Sequence, residues 1–474
     1  MPHRLLSQSL TMTKVRSPTG QLTSCWILIL TVILLVAGPA RGQLPLSKNG
    51  WDLFMDTGRI VIRPQDAQQL QLGSFDCTAF TIQNRENADV INADVQRHRL
   101  SAPCSPRLLD AVTVEMTMNT LDLDAVKLNQ GLATGQDGTT TFLSVRANSG
   151  IVDVTKGSLE SVPSSAGRVG NLFQDSIAPA VISFQLFDLD SGELSLVFDE
   201  PVNLLGALNV SASAPSLRLQ HHVTSLDSLE YFDVRQVTPI TGNGRNVTVR
   251  LSDGELNRLK LMRRVCSSIA DCWITLSEFF VADMAGNRMS PLSNGVTSLS
   301  RLLSSFIVDD SGPVLQTSSI NFNNGMLVLS FNEPIDSASI SPSAISVMSA
   351  PNANTSSALH HRQLTGGRVL SGNGQRLSLL LDAADLNALK SSDLLATDRN
   401  NTYLSINGSL ASDLALTANP VRTVSVANAS KITTYTGDTV PPQVSAFTID
   451  FERSRIVITW DEPIRPSRAS MQLL

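Results

Sequence analysis

Apolar and polar positions alternate with period two along three widely separated stretches of this chain. Leu194, Leu196 and Phe198 point one way while Ser195, Val197 and Asp199 point the other. Leu327, Leu329 and Phe331 repeat the pattern, as do Ile456, Ile458 and Trp460. Alternation of this kind predicts a strand with one face on a core. Each stretch follows a turn sequence, Asp190-Ser191-Gly192, Asn323-Asn324-Gly325 or Glu452-Arg453-Ser454, and each runs into Glu-Pro at Glu200-Pro201, Glu333-Pro334 and Glu462-Pro463. A worn copy, Gly58-Arg59-Ile60-Val61-Ile62-Arg63-Pro64, lacks the Glu. The turn residues at 58, 192, 325 and 454 lie 134, 133 and 129 residues apart, a period of domain size.

A second pattern recurs in the middle of each period. Val114, Met116 and Met118 match Val247, Val249 and Leu251, then Leu377, Leu379 and Leu381. Asn119, Ser252 and Asp382 follow, each with an acid three residues on at Asp122, Glu255 and Asp385. That spacing resembles a capping box and predicts a short helix that ends in Lys127, Lys260 or Lys390, a charge suited to the helix dipole. Asp175, Asp309 and Asp438 each precede a Pro by four residues, at Pro179, Pro313 and Pro442, where the chain is kept extended. These are the expected boundaries. The reading is all-β, with tandem immunoglobulin-like β-sandwich modules of about 130 residues, each with one short helix. The divisions are 1–42, a signal peptide; 43–174, a divergent first repeat; 175–308 and 309–437, repeats 2 and 3; and 438–474, the start of a fourth, which reads as a fragment of a longer array.

By strand parity Glu200, Glu333 and Glu462 point inward, where a bare carboxylate is costly. The expectation is that the strand kinks at each Glu-Pro and that the carboxylate accepts backbone N–H bonds at the bend. One Glu repeated in every module argues for a structural role over catalysis.

Composition narrows the class. Net charge is −6 and 16% of residues are charged, so no nucleic-acid surface is expected. Lys14 and Arg16 precede a 13-residue apolar run from Cys25 to Ala37, then small residues to Gly42, the form of a cleaved secretory signal. The run is short for a membrane span, and no other segment is apolar enough, so a secreted or cell-surface chain is expected. Beyond Cys25 the cysteines are Cys77, Cys104, Cys266 and Cys272. Four allow three pairings, and the module logic favours Cys77–Cys104 and Cys266–Cys272. Sequons at Asn209, Asn246, Asn354, Asn400, Asn407 and Asn428 suggest glycosylation in an exported eukaryotic protein. None falls in the first repeat.

The Pro near the start of each module, Phe198-Asp199-Glu200-Pro201 and Asp283-Met284-Ala285-Gly286-Asn287 together resemble the bacterial-type immunoglobulin-like repeats of surface-layer and adhesin proteins, the SbsA-like group. The third repeat keeps Phe331-Asn332-Glu333-Pro334 but has Asp413-Leu414-Ala415-Leu416 in place of the closing turn. The resemblance implies a spacer or adhesion role and no active site.

No cofactor is expected, with calcium as the one candidate. Asp175, Asp309, Asp310 and Asp438 at the boundaries, and Asp283 with Asn287 at the closing turn, are carboxylate and amide oxygens suited to a hard cation. His98, His221-His222 and His360-His361 read as exposed strand or loop, because adjacent strand residues face opposite ways. No nucleophile elbow, zinc-protease or phosphate-loop motif is present in the sequence. The chain is thus expected to be a non-enzymatic spacer or adhesion stalk with an extracellular protein or glycan partner. The alternatives are a protein- or glycan-binding module centred on repeat 1, or a non-catalytic part of a larger extracellular enzyme.

Overall fold

The computed structural model describes residues 44–465, apart from 47–48, 89–93, 135–136, 162–164, 212–214, 226, 296–300 and 353–359. The expected signal segment and Asn354 lie outside the described residues. The described residues belong to one compact unit.

Hairpins form where the alternation predicts them. Val181–Asp188 pairs antiparallel with Glu193–Val202, Leu315–Asn321 with Met326–Ile335, and Val444–Asp450 with Arg455–Trp460. Trp51–Phe54 with Arg59–Ile62 is the version in repeat 1. The turn needs a residue with positive φ, supplied by Gly58 (69°), Gly192 (74°), Gly325 (67°) and Ser454 (48°). The three glycines also make room for a leucine of the central helix. A Cβ on Gly58, Gly192 or Gly325 would lie 3.4, 3.4 or 3.0 Å from a methyl of Leu123, Leu256 or Leu386.

Each repeat is a sandwich of a five-stranded and a four-stranded sheet. In repeat 3 the larger sheet runs Gly367–Val369, Gly374–Leu381, Met326–Ile335, Leu315–Asn321, Thr434–Thr436, and the smaller His361–Gln363, Ile345–Met348, Tyr403–Ile406, Ser430–Lys431. Repeat 2 has the same order, but its last strand, Arg301–Ile307, is unbroken and pairs into both sheets, so they count as one of eight strands. In repeat 1 that strand is again divided, into Gly167–Arg168 and Asn171–Phe173, and a further small sheet is built from Leu44–Pro45, Leu70–Leu72, Ile151–Asp153 and Gly157–Glu160. The last strand lies parallel to the first strand of the hairpin in all three repeats. The fold class is therefore all-β, in tandem immunoglobulin-like sandwiches.

Between the faces lie three hydrophobic clusters, one within each of repeats 1, 2 and 3. Their largest members include Trp51 and Phe80 in the first and Phe184, Phe187, Phe198 and Phe280 in the second, all fully buried. Each such side chain contributes about 1.5–3 kcal/mol by leaving water.

The central helices are Thr120–Leu128, Asp253–Met262 and Ala383–Lys390. Asn119 and Ser252 cap the first two by accepting from the N–H of Asp122 and Glu255, but Asp382 makes no such bond. The acids do not complete capping boxes. Asp122, Glu255 and Asp385 are buried and accept the backbone N–H of Ser101, Arg235 and Thr365 at 2.7, 2.9 and 2.6 Å. They pin the helix to the incoming chain, a tie between segments some twenty residues apart.

Disulfides join Cys77 to Cys104 and Cys266 to Cys272. The second closes a loop that the other repeats form without sulfur. Ala133, Cys266 and Ala396 share positive φ of 52°, 53° and 55°. Their N–H groups donate to the carbonyls of Thr140, Asp271 and Asn401 at 3.3, 3.1 and 3.1 Å.

Candidate functional site: the joints between repeats

The lysine closing each central helix reaches forward into the following repeat. Leu123, Leu256 or Leu386 seats the helix against its own hairpin turn, which directs the last helical turn toward the next hairpin. Lys127 Nζ lies 2.6 Å from Asp175 Oδ2 and 2.5 Å from Glu200 Oε2. Lys260 Nζ lies 2.8 Å from Asp309 Oδ2 and 2.6 Å from Glu333 Oε2. Lys390 Nζ lies 2.8 Å from Asp438 Oδ2 and 2.5 Å from Glu462 Oε2. One ammonium thus holds the linker and the Glu-Pro strand of the next repeat together, three times over.

The first two clasps are dry. Side-chain exposure is at most 9% for every member of both, whereas Asp438 at the third is 28% exposed. Burial pushes Glu200 up to about 7, against the pull of Lys127, and the Asp175 charge adds to the rise. Burial likewise pushes Asp309 up to about 7 despite Lys260. Asp175 and Glu333 are raised for the same reason. At the third joint burial also raises Asp438, but the Lys390 bond and the Val440 N–H outweigh it and hold the group below its usual value. Burial disfavours charge on each lysine, yet the carboxylate bonds win and raise all three.

Further contacts brace the linkers. Asn287 Nδ2 donates to the Asp175 carbonyl at 2.9 Å and to Asp283 Oδ2 at 2.8 Å. Asn419 repeats this on the Asp309 carbonyl and Asp413 Oδ2, at 2.9 and 2.8 Å. The closing turn of repeat 3 is therefore retained, with Asn six residues after Asp instead of four. Hairpin-turn residues accept from the linker N–H, Asp56 from Ser176, Asp190 from Ser311 and Asn323 from Thr439, at 2.7, 3.2 and 2.7 Å. Arg245 adds a forked pair to Asp124 across the first joint.

The expected role of the Glu-Pro carboxylates is corrected by this geometry. They take lysine, and the residue before each takes the backbone. Asp199, Asn332 and Asp461 accept the N–H of Ala180, Val314 and Gln443 at 2.7, 2.6 and 2.7 Å. In repeats 2 and 3 the strand runs through Glu-Pro with a register irregularity against its neighbour, whereas the last copy, Arg455–Trp460, ends before it.

The calcium candidates fall at separate joints. Asp175, Asp283 and Asn287 meet at the first, Asp309 at the second beside Asp413, and Asp438 at the third. Carboxylate oxygens of Asp175, Glu200 and Asp283, and of Asp309, Glu333 and Asp413, lie within 4.8 Å of one another. The ammonium of Lys127 or Lys260 sits among them. Asp310 is exposed and lies against Asp190. The sequon asparagines 209, 246, 400, 407 and 428 are all exposed. His98 departs from the expectation of an exposed residue: half-buried, its Nε2 lies 2.9 Å from Asp122 Oδ1.

Sequence reasoning missed the lysines as a functional set. Lys127, Lys260 and Lys390 precede Glu200, Glu333 and Glu462 by 73, 73 and 72 residues. That constant offset is the signal that could have found them.

No protein-family model and no curated protein sequence matches the chain. Among solved structures, the chain is similar to the FN1–FN3 domains of chicken CNTN1, at 10% identity over 81% of this chain and 97% of that one, TM-score 0.18. It is similar to FdeC, an Escherichia coli adhesin, at 11% identity over 80% and 96%, TM-score 0.19. A complex of Dpr2 Ig1–Ig2 with DIP-Theta Ig1–Ig3 matches at 9% identity over 83% and 96%, TM-score 0.15. Likeness at this level carries no argument about function.

Proposed function

We propose that this chain is an exported, non-catalytic array of the adhesion type, in which repeats bounded at 175, 309 and 438 act as a spacer with held joints. The surface-layer and adhesin resemblance of the repeats belongs to the same reading. The observation that carries it is the recurrence of one Lys–Asp–Glu clasp at three successive joints, buried at the first two and partly exposed at the third. A chain that only needed to link independent domains would place polar, exposed linkers there. Here the linker aspartates and the Glu-Pro carboxylates are each engaged by a lysine.

The test is a pulsed-dipolar distance measurement between spin labels on exposed strands of repeats 2 and 3 in the full chain. A single narrow distance distribution that broadens in Glu333→Gln supports held joints. A broad distribution in the unaltered chain refutes them.

A second reading, partner binding at repeat 1, is favoured by its edge strand. Ser105–Asp110 is six residues long, with Leu108 and Leu109 exposed, whereas the matching edges Val237–Pro239 and Gly367–Val369 have three. Such an edge suits addition of an extended protein segment.

A further inference from the structure

The closing turn of repeat 3 is longer than that of repeat 2, and bracing the linker does not need the extra length. Asp413 and Asn419 make the same bonds as Asp283 and Asn287. The residues between them instead form one wall of a cavity of about 340 Å³ at the second joint, through Leu414, Ala415, Leu416 and Thr417. Repeat 2 and the linker supply the opposite wall, with Leu259, Val265, Phe306 and Val308 among its apolar members. Leu259 and Val265 are buried, whereas Val308 is 58% and Leu416 86% exposed, so the last two stand at the mouth. The sibling joints have Gln174 and Gly437 in the place of Val308, immediately before the linker aspartate.

One polar atom of a lining residue lacks a partner. Asp309 lines the cavity and is only 6% exposed, and its Oδ1 accepts no hydrogen bond. Lys260 bonds the other oxygen, Oδ2, and Glu333 Oε2. At the sibling joints the matching oxygen is served from within the linker. Asp175 Oδ1 accepts the N–H of Ile177, and Asp438 Oδ1 accepts that of Val440. At the second joint the corresponding N–H, of Ser311, goes to Asp190 instead. A buried acceptor without a donor is costly. Lys260 already supplies the positive charge, so what Oδ1 lacks is a neutral donor, not a cation.

We propose that this cavity binds a small uncharged molecule with an apolar body and one hydroxyl group, the O–H donating to Asp309 Oδ1 and the body lying between the two walls. Apolar walls with very few polar groups to fix orientation are the usual character of a small-molecule site. The volume stands at the lower end for such sites, which selects a compact ring over a long chain. One wall belongs to repeat 2 and the other to repeat 3, so the bound molecule touches both. The inference stands on this cavity and does not require the spacer reading.

The experiment is a methyl NMR titration of the full chain with p-cresol, and separately with p-xylene, which has the same frame but a methyl in place of the hydroxyl. Saturable shifts of the Val265 and Leu414 methyl signals are expected with p-cresol, at a Kd of about 1 mM. Binding of p-xylene is expected to be about tenfold weaker, because it leaves Oδ1 without a donor. Val308→Gln installs the residue that the first joint folds with, and Leu416→Ser trims the mouth. Each is expected to weaken p-cresol binding about fivefold. Leu205→Ser, at an exposed leucine beside Asn243 of repeat 2, is expected to leave it unchanged. The absence of saturable shifts overturns the site and leaves water as the donor to Oδ1. Binding that ignores both cavity variants places p-cresol elsewhere and overturns it too. Equal affinity for p-xylene overturns the role given to Asp309.

Discussion

Lys260→Met isolates what one clasp contributes. Methionine retains most of the stem and its packing while removing the ammonium and three donors. Lys260 is 9% exposed, between Asp309 at 4% and Glu333 at 5%, so two buried carboxylates would face each other unpaired. Removing one partner of a buried ion pair costs about 3–5 kcal/mol. Burial pushes Asp309 up to about 7 even against the pull of Lys260, and loss of the ammonium raises it further, so proton uptake limits the penalty and the lower end, about 3 kcal/mol, is expected. The hydrophobic clusters of repeats 2 and 3 lie on either side of the joint, so the loss falls on the joint itself. The assay is amide hydrogen exchange at Asp310 and Ser311, whose N–H groups bond Asp190 of the preceding repeat. Exchange there reads local opening, and 3 kcal/mol corresponds to acceleration by about a hundredfold. An apolar triple replacement, Lys260→Met with Asp309→Leu and Glu333→Leu, should recover much of the loss, since packed apolar groups often match a buried pair. Acceleration below about threefold in the single variant would refute the reasoning, because the ammonium would then be replaceable by water.

Two other outcomes are expected. Cys266→Ala with Cys272→Thr gives repeat 2 the residues that repeat 3 has at these positions, so the loop should keep its form, with a thermal stability cost of about 2 kcal/mol from the short closed ring; loss of the repeat 2 signal in far-ultraviolet dichroism would contradict this. The first joint should tighten in mild acid: folding raises Glu200 above its ordinary carboxylate value to about 7, so the folded form binds the proton more strongly and gains stability as pH falls from about 8 through 7, fully by the ordinary carboxylate range. A melting midpoint of the unaltered chain that gains nothing relative to Glu200→Gln as pH falls from 8 to about 6 would count against it.

Much of the fold was legible because it rests on local rules. Period-two alternation and positive-φ turn residues located the hairpins, and Asn119 and Ser252 marked two helix starts. The four cysteines paired within repeats as module logic suggested. The joints were only half legible. Glu200, Glu333 and Glu462 stood out by recurrence, but a parity argument within one strand offered only local backbone as partner. Their partners lie in the preceding repeat, where Lys127, Lys260 and Lys390 had a sufficient local explanation in the helix dipole. Asn419 was hidden by a two-residue lengthening of its turn. Contacts across repeats leave no mark in a window of ten residues; they appear only when one repeat's motif is set against the next one's.

The clasp has a polarity with an evolutionary consequence. Its lysine sits in one repeat and its acids at the front of the next, so the contact is head-to-tail and does not close on itself. A gene duplication that inserts a whole repeat 2 or 3 therefore creates a matched joint at both ends without any compensating substitution. Growth of such an array is chemically neutral at its seams, and copies can diverge on their outer faces while the seams stay interchangeable.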